Sequence, residues 1–403
     1  MISAPHPDQI HLLPTAPGCP LMVAAGRVPN LQAADLTRRF ASGWGTTKEA
    51  AVENCAREIA ERVAAQVSGD EVLRHGCADA LDGLVVTPPQ LMLIDDAQHL
   101  TEARAESDVP SAKWDAATSI DWLAADAGLG MARAWVPAGL CFLGHARDRI
   151  AGLSAADSNG LAAGNTREDA AVRAFLELVE RDAVAIWWYN RLRRPQLDPA
   201  DLEDPLILAY AGWTVQRGRP LSLLDLTHDL GLPVIAAVSD DGQGRRIALG
   251  FGAGCDAATA ARHAIGELTQ FDCNIDLIEQ RAGRHGEAGL APEVRRLLRW
   301  WREATIGDHP HLAGTSVAAP PGCHAVLDLA ACHDICRRHE LTFLAVDLTR
   351  PVLGVPVVRV LVPGLRPMAP RFAAGRLYDV PVQLNWLPQA LRRQDLNRQP
   401  MVF

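Results

Sequence analysis

The sequence predicts a single large α/β domain with an internal repeat. Patterns typical of strands and of helices alternate along its 403 residues, and no linker-like stretch separates them. A second observation is a segment that occurs three times: a glycine, a capping residue, and a helix with Glu-x-x-Glu or Glu-x-x-Gln. We therefore expect one domain whose three repeated units give it internal pseudo-symmetry.

The individual elements follow from local patterns along the chain. Residues 1–40 are rich in proline and predict an arm or lead-in strand, whereas residues 41–403 should form the main domain and its C-terminal tail. Apolar runs predict strands at 84–94 (with a turn inside), 131–143, 221–226, 233–239, 246–251, 342–348 and 355–362. Apart from the three repeated helices, helical patterns occur at 120–126, 291–304 and 325–339.

The three copies of the repeat align without gaps. Their glycines are Gly45, Gly164 and Gly254, and their candidate helix caps are Thr47, Thr166 and Asp256. The first acidic position holds Glu58, Glu177 and Glu267, and the position three residues later holds Glu61, Glu180 and Gln270. Arginine follows directly in two copies, as Arg62 and Arg181, whereas the third copy has Phe271.

The repeated acids predict a metal and phosphate site. Carboxylates three residues apart lie on one helix face, and acids next to apolar residues need a compensating cation or hydrogen-bond network. If the three helices converge, their acids form a multi-carboxylate pocket that suits Mg²⁺, which normally comes with phosphates. Glycine loops and helix N-termini favour anions, and no Walker motif is present. The alternative is three ordinary amphipathic helices with solvated acids.

Composition and charge narrow the class of protein. Apolar residues make up 48% of the chain, enough for a large core, but no apolar run is long enough to span a membrane. A net charge of −9 with scattered basic residues argues against nucleic-acid binding. The N-terminus carries no Lys or Arg before Arg27 and does not predict a signal peptide. Nine cysteines without a disulfide pattern suit a reducing compartment, so we expect a cytoplasmic protein.

One cluster of cysteine and histidine allows a second kind of site. Cys332, Cys336 and His339 share a helix face and could hold zinc. The sequence contains no C-x-x-C pair, however, and small Ala/Cys faces commonly pack as core. Core packing is therefore the favoured interpretation.

The central copy resembles a known protein family. The segment SNGLAAGNTREDAAVRAFLELVERDA is similar to the central signature of the YcaO family. The third copy resembles that family's Arg-x4-Glu-x2-Gln segment, and the first copy its Glu-x-x-Glu-Arg helix. Further matches at 120–122, 135–138 and 375–382 are most like the azoline-forming cyclodehydratases of thiazole/oxazole-modified microcin biosynthesis. The resemblance covers roughly residues 40 to 400.

The resemblance implies an ATP- and Mg²⁺-dependent peptide cyclodehydratase. It assigns four metal ligands: Glu58, Glu61, Glu177 and Glu180. It places six residues at the nucleotide: Asn165, Asp169, Arg181, Arg262, Glu267 and Gln270. Arg62 is alternatively a structural partner of the adjacent acids, and Asp169 a capping residue. The expected partners are a precursor peptide and a separate leader-peptide-binding protein of the ubiquitin-activating-enzyme-like class. A flavin dehydrogenase is a further candidate, and a homodimer is left open.

The sequence also departs from the family pattern in two places. Trp44 replaces a lysine of the first segment, and Asn54 stands where serine is usual. Azoline-forming members end in Pro-x-Pro-x-Pro, whereas this chain ends in DLNRQPMVF. In the catalytic interpretation, residues 395–403 should be buried near the carboxylate pocket, with Pro400 and Phe403 as catalytic candidates that order the tail.

Three other functions therefore stay open. The chain is alternatively a non-catalytic scaffold that binds a peptide or a partner, an interpretation that Trp44 and the altered tail favour. It is alternatively an enzyme of backbone thioamidation with a sulfur-donating partner, or a carboxylate-cluster metal hydrolase.

Overall fold

Strands and helices alternate along the part of the chain that the computed structural model describes, namely residues 9–29, 39–101, 109–110, 112–128, 133–145, 152–324 and 326–401. Within these ranges the strands are β1 (Ile10–Leu13), β2 (Met22–Arg27), β3 (Phe40–Gly45), β4 (Leu73–Gly76), β5 (Leu84–Val85), β6 (Ile120–Ala125), β7 (Ala134–Pro137), β8 (Leu161–Ala163), β9 (Gln196–Leu197), β10 (Leu221–Asp225), β11 (Val234–Ser239), β12 (Ala248–Ala253), β13 (Val317–Ala318), β14 (Leu344–Asp347) and β15 (Val357–Leu361). The helices are α1 (Lys48–Ala64), α2 (Pro88–Met92), α3 (Asp96–Thr101), α4 (Arg167–Asn190), α5 (Pro205–Gln216), α6 (Ala257–His285), α7 (Pro292–Glu303), α8 (Leu329–Arg338) and α9 (Arg376–Gln383).

The named strands form four sheets, and the predicted single α/β domain is confirmed. The strand orders are β1-β2-β3, β4-β6-β7-β5, β14-β15-β8 and β12-β11-β10-β9-β13. Within the described ranges, all neighbouring strands of these sheets are antiparallel except the short pairs β5–β7 and β9–β13. None of the described helices is both long and apolar enough to cross a bilayer.

Each repeated helix begins at its predicted cap. The side chains of Thr47, Thr166 and Asp256 accept hydrogen bonds from the third backbone N–H of α1, α4 and α6, at 3.2, 3.1 and 2.7 Å. These bonds satisfy N–H groups that the helix itself leaves unpaired. The glycine that precedes each cap lets strand and helix approach closely. A Cβ at Gly164, for example, would lie 2.3 Å from the backbone nitrogen of Ala170.

The three capped helices pack in a closed ring. Helix α1 lies on its own strand β3 and also contacts β8, the strand that precedes α4. Helix α4 contacts β8 and also β12, the strand that precedes α6, and α6 lies on β12 and contacts β3. Because each helix packs on its own sheet and on the next one, all three helices border one central space.

The structure corrects several predicted elements. The interrupted strand at 84–94 is instead β5 followed by α2, because Thr87 and Gln90 form a capping box and Pro88 occupies the first helical turn. The predicted helix at 120–126 is strand β6, which pairs with β4 and β7. In the described part of the predicted strand 131–143, namely residues 133–143, the strand is confined to Ala134–Pro137, and a 3₁₀ turn follows.

Two further segments add strands to the predicted set. The N-terminal lead-in supplies two strands: β1 pairs with β2, and β2 pairs with β3. Residues 161–163, just before the glycine of the central copy, form β8. The other predicted strands, at 221–226, 233–239, 246–251, 342–348 and 355–362, and the helices at 291–304 and 325–339, are confirmed within a few residues at their ends.

The alternative zinc cluster belongs to the hydrophobic core. Cys332 and Cys336 are buried among apolar side chains. His339 lies with Nδ1 3.4 Å from an oxygen of Asp229. Among the described residues, no group of cysteine, histidine and acidic side chains has the arrangement of a metal site.

Candidate functional site

Five glutamates from the three ring helices meet in the central space. Helix α1 supplies Glu58 and Glu61, helix α4 supplies Glu177 and Glu180, and helix α6 supplies Glu267. The charge of Glu177 reaches Glu61 on α1 and Glu267 on α6, and the charges of Glu180 and Glu267 act on each other. The structure therefore brings together the four predicted metal ligands and Glu267. Their function as ligands stays a prediction.

The second acidic position of each helix is tied to a strand of the next unit. A carboxylate oxygen of Glu61 accepts the N–H of Ala163 at the end of β8, at 2.7 Å. Glu180 accepts the N–H of Ala253 at the end of β12. At the same aligned position, Gln270 donates its side-chain N–H to Ser42 Oγ in β3, at 3.1 Å. This position therefore links the three units, whether it holds Glu or Gln.

Burial raises the pKa values of four of these acids. Desolvation raises the pKa of Glu61 well above its usual range, and the neighbouring Glu58 raises it further. Burial likewise raises the pKa of Glu177. For the closely spaced Glu180 and Glu267, burial raises both pKa values, and their mutual repulsion adds to the rise at Glu180. The charged forms of these acids are therefore disfavoured in the metal-free protein, and a bound cation would favour them.

Two arginines compensate part of this charge. Arg62 donates to Glu58 at 2.5 Å and to the carbonyl of Phe40 at 2.5 Å. Arg181 donates one Nη to Glu177 at 3.1 Å and the other to the sulfur of Met368 at 3.3 Å. The third helix has Phe271 at the equivalent position, so Glu267 has no arginine of its own helix at that spacing. The positive charge of Arg181 therefore interacts with acids on both α4 and α6.

The residues fit a divalent cation by their chemistry. In the described part of the chain, no three His, Cys, Asp or Glu side chains already surround one point where a metal would lie, because the carboxylates turn to arginines and backbone N–H groups. Five clustered carboxylates nevertheless exceed the two arginines that pair with them. Hard divalent ions with oxygen ligands are the usual partners of such an excess. The buried Nε of Arg181 also has no hydrogen-bond partner within the described residues.

A second group of polar residues lies at the N-terminus of α4, where Asp169 precedes Glu177 by eight residues, about 12 Å along the helix. Arg57 donates to Asn165 Oδ1 at 3.2 Å, and the N–H of Asn165 donates to Asp169 at 2.8 Å. Asp169 also accepts from Arg173 at 2.9 Å. Partial burial acts against it, but the bond from Asn165 and the pairing with Arg173 lower the pKa of Asp169. Asn165 is exposed and Asp169 is half-buried, so these two nucleotide candidates are accessible, in contrast to the buried Arg181.

Arg262 lies in the second turn of α6. Its guanidinium pairs with Asp204, the cap of α5, and its side chain is 50% exposed. It is therefore held outside the carboxylate cluster, in contrast to Arg181. This half-exposed arginine of α6 remains available to an anionic ligand.

Trp44, which replaces the family's lysine, packs on α6. Its indole lies against Gly266, where a Cβ would come within 2.1 Å of Trp44 Cε2. The ring also meets His263 edge to face, with centroids 6.1 Å apart. Asn54 holds the backbone of Trp44 through a bond from its Nδ2 to the carbonyl, at 2.9 Å. Trp44 thus fixes β3 against the helix that carries Glu267.

The described part of the C-terminal tail is anchored by Leu396, Asn397 and Gln399. Leu396 and Asn397 are buried, and the N–H of Asn397 donates to the carbonyl of Tyr189 at 2.8 Å. Trp188 donates its indole N–H to the carbonyl of Gln399 at 2.7 Å. Pro400 is exposed, as is the start of the tail at 395, and Phe403 lies outside the described residues.

This anchor lies at the C-terminal end of α4. Trp188 follows Glu180 by eight residues, which places it about 12 Å further along the helix. The expected burial of the whole tail at the pocket is therefore wrong for its described part. Its apolar Leu396 and its hydrogen-bonding Asn397 hold it instead.

Sequence reasoning missed two residues near the cluster. Arg359 in β15 is almost fully buried and donates to the carbonyls of Asp157 and Asn159, at 2.5 and 2.9 Å. Both Asp157 and Arg359 act on the pKa of Glu177. An isolated arginine inside the apolar strand Val357–Leu361 was the available signal, since an unpaired charge there would be costly.

Three strand–helix units packed in a ring enclose a buried carboxylate cluster with flanking arginines. This arrangement is typical of a protein with a metal and phosphate site. More particularly, the chain belongs to the YcaO family. The family model, described as YcaO cyclodehydratase, ATP- and Mg²⁺-binding, matches residues 42–366.

Three similar proteins are informative. An uncharacterized protein of Methanothermobacter thermautotrophicus is 28% identical over 80% of this chain and 81% of its own length. A solved heterocyclase in complex with substrate and cofactor is 31% identical, with a TM-score of 0.87 over 98% of this chain and 55% of that one. The heterocyclase TruD is 32% identical, with a TM-score of 0.75 over 87% of this chain and 50% of TruD. The chain thus spans about half the length of these two heterocyclases.

Proposed function

We propose that the protein is an ATP-dependent cyclodehydratase that converts Cys, Ser or Thr residues of a precursor peptide to thiazolines or oxazolines. The observation that carries the proposal is the central cluster of buried glutamates from three helices, with fewer arginines than acids. Membership of an ATP- and Mg²⁺-binding family and similarity to two heterocyclases support it.

The proposed reaction activates a backbone amide. The side-chain sulfur or oxygen of the peptide adds to the preceding carbonyl carbon and gives a hemiorthoamide. The former carbonyl oxygen takes the γ-phosphoryl group of ATP, which leaves ADP. Loss of phosphate, together with the amide proton, then forms the C=N bond of the azoline. The peptide thereby loses the elements of one water molecule. The oxygen of that water is the former carbonyl oxygen, which leaves as part of the phosphate.

The central residues suit this chemistry. A bound Mg²⁺ would neutralise charge that develops on the phosphates. Glu58, Glu61, Glu177 and Glu180 are the proposed ligands, and their charges act on one another within the cluster. The unpartnered Nε of Arg181 is a donor for phosphate next to the cluster.

Three accessible residues complete the proposed nucleotide site. Asn165, Asp169 and Arg262 would bind the nucleotide where it leaves the cluster. Glu267 and Gln270 would orient it from α6.

The tail is assigned to the peptide. Gln399 is anchored to Trp188, so Pro400 is the first exposed residue beyond a fixed point. We assign Pro400 and Phe403 to contacts with the reacting peptide. The region matched in the two similar heterocyclases is about half of each of those chains. The proposed partner is a separate leader-peptide-binding protein, with a flavin dehydrogenase acting after cyclisation.

The test measures two products, ADP and the cyclised peptide. The protein, its precursor peptide and the leader-binding partner are incubated with MgATP, and ADP release is compared with peptide mass. The expected result is one ADP and the loss of one water per ring. ATP hydrolysis without a change in peptide mass would contradict cyclodehydration, and no ADP from the complete mixture would favour the scaffold.

A further inference from the structure

A buried ionic cluster lies directly behind the proposed nucleotide site. Asp182 follows Arg181 on α4, and its side chain is fully buried. Arg376, the first residue of α9, donates Nε and Nη2 to one oxygen of Asp182, at 2.9 and 2.7 Å. The same guanidinium binds both oxygens of Asp229, at 2.7 and 2.8 Å. One arginine thus joins two carboxylates, and Asp229 comes from the turn after β10.

The second oxygen of Asp182 holds a different point of the chain. It accepts the backbone N–H of Arg366, at 2.8 Å. The Arg366 guanidinium, itself 1% exposed, donates to the carbonyls of Arg371 and Ala374, at 3.4 and 2.7 Å. One carboxylate therefore fixes both ends of the segment 366–376, and the side chain at its start fixes the middle. We call residues 366–376 the clamp segment.

One residue of the clamp segment contacts Arg181 in the site. Its Met368 accepts a hydrogen bond from Arg181 Nη1 at the sulfur, at 3.3 Å. The carbonyl of Met368 accepts from Tyr189 OH, at 2.6 Å, which fixes the same residue to α4. On its other side the segment is bound by Gln98, which donates to Pro370 and accepts from Phe372. Arg181 is thus held between Glu177 on its own helix and the clamp segment.

The energetics favour a role in geometry. A buried ion pair is seldom more stabilising than an apolar replacement of the same volume, since desolvation offsets much of the attraction. What a buried ion pair does is fix geometry, because a guanidinium that binds carboxylates through several N–H groups holds them in a defined arrangement. An apolar patch at Asp182 would let the clamp segment slide, whereas the ionic cluster fixes its register on α4.

We propose that Asp182 is a positioning residue for the nucleotide site. It acts through Arg366 and Arg376, which hold Met368 against Arg181 and thereby orient the guanidinium that faces the phosphates. The inference rests on the proposed function. It concerns a residue that touches neither nucleotide nor peptide.

The first test replaces Asp182 with asparagine. The variant D182N keeps volume and an oxygen for Arg366 N–H, but it turns an amide toward the Arg376 guanidinium. The expected result is a rise in KM for MgATP of about tenfold with kcat little changed, because a misdirected Arg181 weakens ground-state binding. The control is E71Q, which removes a buried carboxylate paired with Arg350 at 3.2 Å, remote from the clamp segment. It should leave KM unchanged. An unchanged KM in D182N would overturn the proposal.

A second readout needs no nucleotide. Met368 is 8% exposed, so its oxidation by peroxide reports release of the clamp segment. D182N should oxidise at Met368 faster than E71Q, and backbone hydrogen exchange should rise across 366–376. Protection of Met368 equal to that of the unmodified protein would overturn the clamp.

A third variant guards against loss of folding. If D182N does not fold, R376K keeps the charge, loses the paired contacts, and should change KM in the same direction. In the folded case, adding M368L to D182N should raise KM no further, because both changes act on the same contact. Failure of the unmodified protein to bind MgATP would refute the proposed function itself. The oxidation result would still decide whether Asp182 holds the segment.

Discussion

Replacing Glu180 with glutamine separates a ligand site from a structural one. Glu180 is 8% exposed, and burial and the neighbouring Glu267 raise its pKa. The amide oxygen of E180Q can still accept the N–H of Ala253. The third unit already has Gln270 at the aligned position, so the fold tolerates this side chain. The substitution therefore removes charge while it keeps volume and a hydrogen bond.

The expected change in stability follows from the pKa. A raised carboxyl pKa means that the charged form is disfavoured in the folded state, and a tenfold change in acidity corresponds to about 1.4 kcal/mol. Without metal, E180Q should therefore raise the free energy of unfolding at pH 7 by about 1–3 kcal/mol. For a chain of 403 residues this is a rise in Tm of roughly 1–4 °C. With Mg²⁺ and ATP the order reverses, because only the unmodified protein gains stability from binding.

The assay is thermal unfolding with and without MgATP, together with ADP release. The matched control is E168Q, an exposed glutamate in the first turn of the same helix, which should change neither quantity. The expected signature is higher metal-free stability, no stabilisation by MgATP and no ADP. A lower Tm without metal, together with retained ATP turnover, would refute the reasoning and return Glu180 to a purely structural role.

Three further predictions follow from other features of the structure. The metal-free protein should lose stability as pH rises from about 5 to about 8, because the folded state binds more protons than the unfolded state while the raised glutamate pKa values are crossed; Tm against pH measures this, and a flat profile would contradict the raised values. The variant G266A should lower stability by about 1–3 kcal/mol, since its Cβ would collide with the Trp44 indole, and the double variant W44A/G266A should lose less than the sum of the two single changes. Deleting residues 398–403 removes the anchor between Gln399 and Trp188 and should abolish cyclisation while MgATP binding persists; full cyclisation without the tail would exclude its catalytic role.

Local signals predicted the repeated units well. Thr47, Thr166 and Asp256 were predictable as caps because a cap satisfies N–H groups within the same few residues. The same logic was available at Thr87, where the capping box with Gln90 begins α2, but the apolar run around it favoured a strand. Strand β6 was mistaken for a helix because its pairing with β4 and β7 is not a local property.

The site was predictable only where the repeat pointed to it. Alignment of the three copies predicted the acids, since equal positions in equal units meet when the units pack together. Arg359 and the cluster of Asp182 with Arg376 lie outside the alignment. Their partners are distant in sequence, so only the folded chain identifies them. The tail anchor at Asn397 was missed for the same reason, as its partner is the carbonyl of Tyr189.

The caps and the ring together account for the convergence of the acids. The first acid of each unit follows its cap by the same eleven residues, which is about 16 Å along the helix. Because a shift of one residue turns a helix by about 100°, a cap displaced by one position would rotate its acid away from the centre. Contacts between units then fix the helices laterally. The position three residues after the first acid, which holds Glu61, Glu180 or Gln270, binds a strand of the neighbouring unit. The acids therefore remain together without metal although they repel one another, because local caps set their depth and bonds between units set their spacing.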